Sequence, residues 1–412
     1  MARSAAGGAL EAEIARLARG TVDFIQPEDL RRKLAQAREN RIPLQVKLGL
    51  DPTAPDIHLG HTIVLRKLRD FQDAGHDAVL VVGDFTARIG DPTGRSKTRP
   101  PLRREEIEAN ARTYTEQAFR ILDRERCRVA FNGGWLDRLS SGDWIELTAR
   151  YTVARMLERR DFRERFEAGT PISLHEFLYP LAQARDSVEL KSDVELGGTD
   201  QLFNLNVGRD VMPHYGLEPQ VVMTTPLLEG LDGTEKMSKS AGNAVGVTEP
   251  PLEMFGKLMS ISDPLMWRYG LLLAGVPEDE LARMRREVES AARHPMDVKT
   301  DLAVRIITPF HTPTAAAAAA AEWRRIFSGR ETPEEVPEKR FPATTGTLWL
   351  PRVLVDAGLA KSTSEVLRTV RSGGIELDGA RVGEGDMTIE ASAPARRLVR
   401  VGKRRYLRIV IG

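Results

Sequence analysis

Apolar and polar residues follow one another along the first 80 positions in the pattern of a strand, a helix and a second strand. Residues 45–50 and 78–82 read as strands, the second of them wholly apolar, and residues 59–74 have helical periodicity. Short apolar strands that alternate with helices are typical of a parallel sheet covered on both faces, with ligands at the carboxyl ends of its strands. Residues 220–224 read as a later strand of this sheet, so the predicted fold class is α/β.

Helical patterns fill much of the interval between these strands, at residues 144–160 and 199–215. After residue 250 the strand signals stop, and helical segments continue to an alanine run at 315–321. This run predicts a helix because alanine has the highest helix propensity. Residues 330–343, rich in proline and glutamate, are interpreted as a linker.

The chain after this linker begins a new pattern. Ser362 and Glu365 have capping-box spacing at the start of a helix that Gly373 can end, and Asp378-Gly379 is typical of a hairpin turn. A compact α/β module is therefore expected at this end. The whole pattern predicts three domains, at residues 1–250, 251–340 and 341–412.

Composition limits the classes of protein to which the chain can belong. Its 412 residues are 41% hydrophobic and 29% charged, which is enough apolar material for more than one domain. No stretch approaches the roughly 18 apolar residues of a membrane-spanning helix, and the N-terminal residues lack the apolar run of a signal peptide. A cytoplasmic protein with no membrane contact is therefore predicted. Cys127 is the only cysteine, which excludes an internal disulfide and a cysteine-based zinc site.

The charge is nearly balanced overall, with 60 basic and 59 acidic residues, but it is uneven along the chain. Between Arg396 and Arg408, seven basic residues occur with no acidic residue among them, which favours contact with a polyanion. An ordinary solvated surface is the alternative for this segment.

Two histidines lie between the first strand and its helix, at the edge of the sheet where ligands are expected. His58 and His61 are three positions apart on the first helical turn, where backbone N–H groups and the helix dipole favour phosphate. Gly60 leaves room for a flat base to lie against the backbone. A zinc-type pair and two surface histidines are alternatives, although no third ligand is nearby in the sequence.

A loop at residues 230–242 contains several glycines and two lysines, Lys236 and Lys239, three positions apart. Glycines let such a loop move, and ammonium groups placed on a triphosphate can neutralise the charge that develops on departing pyrophosphate. A solvated basic loop is the alternative interpretation.

Together, His58-Leu59-Gly60-His61 and Lys236-Met237-Ser238-Lys239-Ser240 resemble the signature pair of class I aminoacyl-tRNA synthetases, written HIGH and KMSKS in that family. The resemblance implies a Rossmann-type catalytic domain that adenylates an amino acid, followed by a helical domain on the anticodon side of tRNA. It implies ATP as a substrate that carries Mg²⁺, and no zinc. Both histidines and both lysines are the catalytic residues by this resemblance, placed at the phosphates.

Residues 177–187 and 197–201 indicate the amino acid, because they resemble the pocket of tyrosyl-tRNA synthetases. Tyr179, Gln183 and Asp186 have i, i+4, i+7 spacing and project from one helix face. Polar residues that meet solvent would explain this spacing but not its occurrence beside the two signatures. The resemblance implies that Asp186 accepts the hydrogen bond of the phenol, and that the ammonium group is held by Tyr179, Gln183, Gln201 and Asp91. It assigns contacts with the nucleotide to Asp51, Thr53, His58, Gly60, His61, Gly198, Asp200, Lys236 and Lys239.

The resemblance extends over nearly the whole chain, with three departures. Lys47 stands where one branch of the family has a tyrosine that contacts the phenol; another branch has lysine there, so Lys47 is assigned no role. Arg185 replaces a common aromatic residue beside Asp186, and Ala87 replaces a common glycine. These departures bear on the geometry of the site and leave the predicted activity unchanged.

From residue 348 onward the chain resembles the small RNA-binding module of the alpha-L type. The resemblance implies that this module binds tRNA(Tyr) by its phosphates, which fixes the RNA without reading its sequence. The cations assigned to this contact are Lys361, Arg368, Arg371, Arg404 and Arg405. The family resemblance also implies a homodimer.

The sequence thus predicts an aminoacyl-tRNA synthetase that activates L-tyrosine with ATP and transfers it to the 3′ end of tRNA(Tyr). Three other functions stay open: the tryptophanyl relative on the same scaffold, an RNA-binding paralogue without catalysis, and a nucleotidyltransferase that forms a different adenylate. The tyrosine-type pocket argues against the tryptophanyl relative. The retained signature residues argue against a paralogue without catalysis, and the lysine loop argues against another nucleotidyltransferase.

Overall fold

The computed structural model describes residues 2–52, 55–91, 103–328, 336–343, 346–402 and 405–412. The chain divides into two compact units, Met1–Ala317 and Ala318–Gly412. The helical segment that begins after residue 250 therefore packs largely within the first unit, and the division into three domains stays a prediction.

A six-stranded sheet forms the centre of the first unit. Its strands are β1 (Phe24–Ile25), β2 (Gln45–Leu50), β3 (Asp77–Val82), β4 (Cys127–Phe131), β5 (Val194–Gly198) and β6 (Val221–Thr225). The order across the sheet is β1-β6-β5-β2-β3-β4, with β1 antiparallel and the other five parallel. Strand β6 is buried throughout and β3 at all but its first residue, as expected where helices cover both faces. The predicted parallel α/β sheet is confirmed, and the three strands read from the sequence are found within one residue.

Helices connect these strands and cover the sheet. The α-helices are α1 (Ala2–Ala18), α2 (Pro27–Asn40), α3 (Leu59–Asp73), α4 (Thr86–Ile89), α5 (Arg104–Ala118), α6 (Gly133–Leu136), α7 (Ser141–Thr148), α8 (Val153–Met156), α9 (Arg160–Glu167), α10 (Leu178–Leu190) and α11 (Leu202–Val211). Short 3₁₀ turns occur at Arg124–Arg126, Leu174–Phe177, Thr199–Gln201 and Met212–Tyr215. Helix α3 begins one residue after His58, as its periodicity predicted, and buries its apolar face against the sheet.

The predicted helix at residues 144–160 is wrong in its extent. The chain forms α7 as far as Thr148, turns, and restarts at Val153. Thr152 begins the new helix because its Oγ1 accepts a hydrogen bond from the N–H of Arg155 at 3.2 Å. Hydrophobic periodicity does not detect such a cap. The predicted helical run at residues 199–215 is confirmed, with 3₁₀ turns on both sides of α11.

Five helices follow the sheet, as the loss of strand signals predicted. They are α12 (Pro251–Met259), α13 (Asp263–Leu272), α14 (Glu278–Glu289), α15 (Pro295–Ile307) and α16 (Pro313–Ser328). The alanine run lies inside α16, so its assignment to a helix is confirmed.

The second unit has its own sheets and its own core. Its elements are β7 (Glu338–Phe341), β8 (Thr347–Trp349), α17 (Leu350–Asp356), α18 (Thr363–Arg371), β9 (Ile375–Leu377), β10 (Ala380–Arg381), β11 (Thr388–Glu390), β12 (Ala395–Val401) and β13 (Arg405–Ile411). One sheet has the order β10-β9-β12-β13-β7, and β11 pairs with β8. The predicted linker at 330–343 needs correction, because residues 338–341 form an edge strand parallel to β13.

The predicted helix start and hairpin turn in this unit are confirmed, although Glu365 accepts from the N–H of Lys361 and does not complete the capping box with Ser362. Oγ of Ser362 accepts a hydrogen bond from the N–H of Glu365 at 3.3 Å and caps α18. Asp378 and Gly379 both have positive φ, at 48° and 85°, as a two-residue hairpin turn between β9 and β10 requires.

Ile409→Ala should destabilise the second unit alone. Ile409 is fully buried among residues of that unit, including Leu350 and Val399, so its truncation leaves a cavity that costs about 2–5 kcal/mol. Denaturation followed by probes in each unit measures the loss. Thr388→Ala, at an exposed strand position, is the control and should change stability by less than about 0.5 kcal/mol. An equal loss in the transition of the first unit would contradict the separation of the two cores.

Candidate active site

A cavity of about 300 Å³ lies in the first unit at the carboxyl ends of strands β2, β5 and β6. This is the edge at which a parallel α/β sheet binds its ligands, and the sequence predicted a site there. A smaller cavity of about 20 Å³ shares Leu50, Asp51 and Tyr179 with it. The predicted residues that line the large cavity are Asp51, His58, Gly60, His61, Asp91, Tyr179, Gly198, Asp200, Gln201, Lys236 and Lys239. Those added by the small cavity are Gln183 and Asp186. Thr53 lies outside the described residues.

The two histidines stand together at the start of α3. The N–H of His58 donates to Nδ1 of His61 at 3.3 Å, and the ring centroids are 3.9 Å apart. Burial, with the nearby lysine Lys236, lowers the pKa of His61 to about 4, and burial with the neighbouring His61 ring lowers the pKa of His58 further. Both imidazoles are therefore neutral near pH 7, so each can present an N–H to an anionic oxygen.

Gly60 leaves room for the ring of His58. A Cβ at position 60 would lie 3.0 Å from both Cε1 and Nδ1 of His58, which is closer than ordinary packing allows. A larger residue would require the His58 ring to shift by a few tenths of an ångström.

The lysine loop lies over the same cavity. Lys236 forms an ion pair with Asp200, and Lys239 forms one with Asp56. Between them, Met237 is buried, and its N–H donates to the carbonyl of Leu228 at 2.8 Å, which fixes the loop to the rim. The geometry thus brings both loop cations to the side of the cavity that holds the histidines.

Asp186 lies at the small cavity, nearly fully buried on α10 together with Tyr179 and Gln183. Its two carboxylate oxygens accept hydrogen bonds from Nε1 of Trp135 at 2.8 Å and from Nδ2 of Asn132 at 3.2 Å. Burial raises the pKa of Asp186 to about 7, although Lys47 and these donors oppose the rise. The carboxylate is held in one orientation and has lone pairs left for a further donor.

Asp51 joins the two cavities. It accepts hydrogen bonds from Oη of Tyr179 at 2.8 Å and from Oγ1 of Thr86 at 2.7 Å. Burial raises the pKa of Asp51 to about 7 as well. A Cβ at Gly83 would lie 1.9 Å from Oδ1 of Asp51, so glycine is needed there. Nearby, Asp91 forms an ion pair with Arg159 at 3.3 Å.

Sequence reasoning missed four residues of this neighbourhood: Asp56, Asn132, Trp135 and Glu195. Asn132 follows strand β4 directly, so its position at a carboxyl end was a usable signal. Glu195 interrupts an apolar strand with a charge and forms a buried ion pair with Lys47. The contacts of Trp135 and Asp56 depend on tertiary packing and leave no local pattern. Of the departures from the family pattern, Arg185 forms an ion pair and Ala87 is buried.

The cations predicted to bind tRNA lie on the surface of the second unit. Lys361, Arg368, Arg371 and Arg405 are all exposed. Arg371 pairs with Glu384, and Arg405 donates to the carbonyl of Leu359. Arg404 lies outside the described residues.

Within the described ranges, no three His, Cys, Asp or Glu side chains are grouped to hold a metal ion. None of the helices in that part of the chain combines the length and apolarity needed to cross a bilayer.

Asp186→Asn should weaken the dependence of stability on pH. A carboxyl whose pKa is higher folded than unfolded stabilises the fold below its unfolded pKa and loses that contribution as pH rises toward about 7. For Asp186 the loss between about pH 4 and pH 7 is at most about 4 kcal/mol, at 1.36 kcal/mol for each pKa unit. Urea denaturation of both proteins at several pH values measures the two slopes. Asparagine also changes the contact with Asn132, but that effect is independent of pH. Equal slopes would show that Asp186 titrates normally.

Known proteins resemble the chain along most of its length. A family model described as "tRNA synthetases class I (W and Y)" matches residues 39–328. Tyrosine–tRNA ligase of Moorella thermoacetica is 51% identical over 404 residues, covering 97% of each chain. That of Geobacter sulfurreducens is 49% identical over 397 residues, covering 96% of this chain and 98% of the relative.

Solved structures agree on the fold. A truncated mitochondrial tyrosyl-tRNA synthetase from Aspergillus nidulans has a TM-score of 0.63 at 22% identity, covering 76% of this chain and 94% of that one. The Archaeoglobus fulgidus enzyme, solved with L-tyrosine, has a TM-score of 0.60 at 22% identity, covering 76% and 99%. The full-length similarity and the matching family model establish that the chain belongs to the tyrosyl-tRNA synthetase family of class I aminoacyl-tRNA synthetases.

Proposed function

We propose that the chain is a tyrosine–tRNA ligase that converts L-tyrosine and ATP to tyrosyl-adenylate and pyrophosphate, and then transfers tyrosine to the 3′ end of tRNA(Tyr). One observation carries the proposal: a buried carboxylate, Asp186, lies at one end of a continuous set of lining residues, and the histidines and lysines lie at the other. An amino acid with a phenol at one end and a carboxylate at the other fits this polarity.

Tyrosine binds with its hydroxyl toward Asp186, whose orientation is fixed by Trp135 and Asn132. The phenol O–H donates to a lone pair that these two donors leave on the buried carboxylate, which favours tyrosine over a ring that lacks the hydroxyl. The ammonium group is held by Tyr179, Gln183, Gln201 and Asp91.

ATP enters as its magnesium complex and places its phosphates at the histidines and lysines. Gly60 receives the base, Gly198 and Asp200 contact the ribose, and Asp51 and Thr53 are further residues assigned to nucleotide contact. The tyrosine carboxylate attacks the α-phosphate in line and pyrophosphate leaves, a step that needs positioning and charge stabilisation but no side-chain nucleophile.

Neutral His58 and His61 donate N–H groups to the developing pentacoordinate phosphate, and Lys236 and Lys239 neutralise the pyrophosphate. A terminal ribose hydroxyl of tRNA then attacks the adenylate carbonyl and releases AMP.

The second unit supplies the phosphate-binding cations for tRNA, namely Lys361, Arg368, Arg371, Arg404 and Arg405, and the domain predicted at 251–340, which contains helices α12–α16, contacts the anticodon side. The protein acts as a homodimer in the cytoplasm, where ATP and tRNA are available. Support for the dimer comes from large apolar side chains that are 46–83% exposed from the last residue of edge strand β4 onward: Phe131, Ile145, Val153, Phe166 and Leu174.

Pyrophosphate exchange into ATP, measured with each standard amino acid and without tRNA, tests the proposal. Exchange should depend on tyrosine alone, because adenylation is complete within the first unit. Exchange with tryptophan instead would show that the chain is the tryptophanyl relative on the same scaffold. No exchange with any amino acid would indicate a paralogue without catalysis.

Lys239→Ala should slow adenylation by roughly a hundredfold, or about 3 kcal/mol, because the charge that it meets develops only in the transition state. Tyrosine affinity should stay nearly unchanged. Stopped-flow burst kinetics measure the rate, and equilibrium dialysis measures the affinity. Arg285→Ala, which removes an exposed cation on α14, is the control and should leave both unchanged. A wild-type burst rate would remove Lys239 from the mechanism.

A further inference from the structure

An ion pair is buried in the sheet beside the proposed tyrosine site. Lys47 on β2 and Glu195 on β5 are register neighbours, and their side chains are 2% and 1% exposed. Nζ of Lys47 lies 2.8 Å from Oε1 of Glu195. Burial of two charges is costly unless every polar atom is satisfied, so the remaining partners of the pair indicate what it is for.

Glu195 receives four donors, which fills the acceptor capacity of a carboxylate. Oε1 accepts from Lys47 and from Nε2 of Gln183 at 2.9 Å. Oε2 accepts from Oγ of Ser187 at 3.2 Å and from Nε2 of Gln220. A side chain with only acceptors must therefore face the nitrogen of the Gln183 amide and never its oxygen.

This contact determines which atom of the Gln183 amide is available to a ligand. Gln183 lines the small cavity, and with its nitrogen committed to Glu195 its oxygen is the group left for a ligand. An ammonium group has three donors and no acceptor, so it requires an oxygen at this position. Lys47 also donates to the backbone carbonyl of Gln183 at 3.3 Å, which holds the main chain at the same place.

We propose that Glu195, anchored by Lys47, is a positioning residue for amino-acid recognition, because it fixes the Gln183 amide with its oxygen toward the ammonium group of tyrosine. The inference rests on the proposed contact of Gln183 with that ammonium group. Without Glu195, the amide nitrogen would turn toward the carboxylates that line the same cavity, Asp51 and Asp186, and tyrosine would have to displace it.

The test variant is Lys47→Met/Glu195→Met, which removes both charges together, since an apolar pair often replaces a buried ion pair without loss of stability. Binding of two ligands is measured by calorimetry: L-tyrosine, and 3-(4-hydroxyphenyl)propanoate, which lacks the ammonium group. Tyrosine affinity should fall by at least about tenfold, the scale of a hydrogen bond to a charged group. Affinity for the analogue should change by less than about twofold. In exchange assays KM for tyrosine should rise, with kcat and KM for ATP unchanged.

Ser187→Ala is the matched control. It removes one donor to Oε2 and leaves both contacts at Oε1, so both ligands should bind as to the wild type. An equal loss of affinity for both ligands in the double variant would mean a general distortion and would overturn the proposal. So would unchanged tyrosine affinity.

Two further variants complete the design. Lys47→Leu/Glu195→Leu is used if the methionine pair does not fold; failure of both pairs to fold would overturn the proposal, because the ion pair would then be structural. Gln183→Met separates the present inference from the proposed function. If it weakens tyrosine alone while the double variants do not, only the role of Glu195 is wrong. If Gln183→Met affects neither ligand, the proposed ammonium contact fails and the present inference fails with it.

Discussion

The site depends on one constraint: carboxylates buried in and beside a parallel sheet must be supplied with hydrogen-bond donors. Asp51, Asp186 and Glu195 each receive donors from a different set of elements. Because an unsatisfied buried charge costs several times what one hydrogen bond contributes, these donors fix the positions of the side chains that carry them. The polar geometry of the cavity thus follows from how the acids are satisfied.

The two lysines proposed to neutralise pyrophosphate are held by weaker contacts. The pairs of Lys236 with Asp200 and Lys239 with Asp56 have side chains that are between a fifth and about half exposed, and ion pairs of this kind contribute at most about 1 kcal/mol. They hold the loop over the cavity in the free protein but are weak enough to be exchanged. A polyphosphate, with more charge and more acceptor oxygens, can replace both acids at small cost. The loop is therefore positioned before ATP arrives without being locked.

The sequence predicted the sheet, its ligand edge and most lining residues because these depend on local patterns. Residues 78–82 are apolar throughout, and His58 and His61 lie where a strand meets its helix. The break at Thr152 and the edge strand at 338–341 were missed, since a cap and a strand partnered by distant residues do not alter periodicity. The assignment of Asp186 required resemblance to a family. Its partner Trp135 comes from a separate short helix, and only the folded chain brings the two together.

Lys47 departs from a family pattern, and only its contacts in the folded chain indicate its role. A lysine at this position does not make the phenol contact that a tyrosine makes in another branch of the family. The sequence indicates no other residue that would replace this contact. In the structure it faces Glu195, a second charge in an otherwise apolar strand, so the two buried charges compensate each other. The Lys47 ammonium also opposes the effect of burial on Asp186, because it lowers the pKa of that carboxyl, whereas the charge of Glu195 raises it. One buried cation thus contributes at both polar ends of the proposed tyrosine site: it pairs with Glu195, which accepts from the amide of Gln183, and its charge acts on Asp186. A substitution of Lys47 alone would leave Glu195 buried and unpaired, so the two positions are constrained to change together.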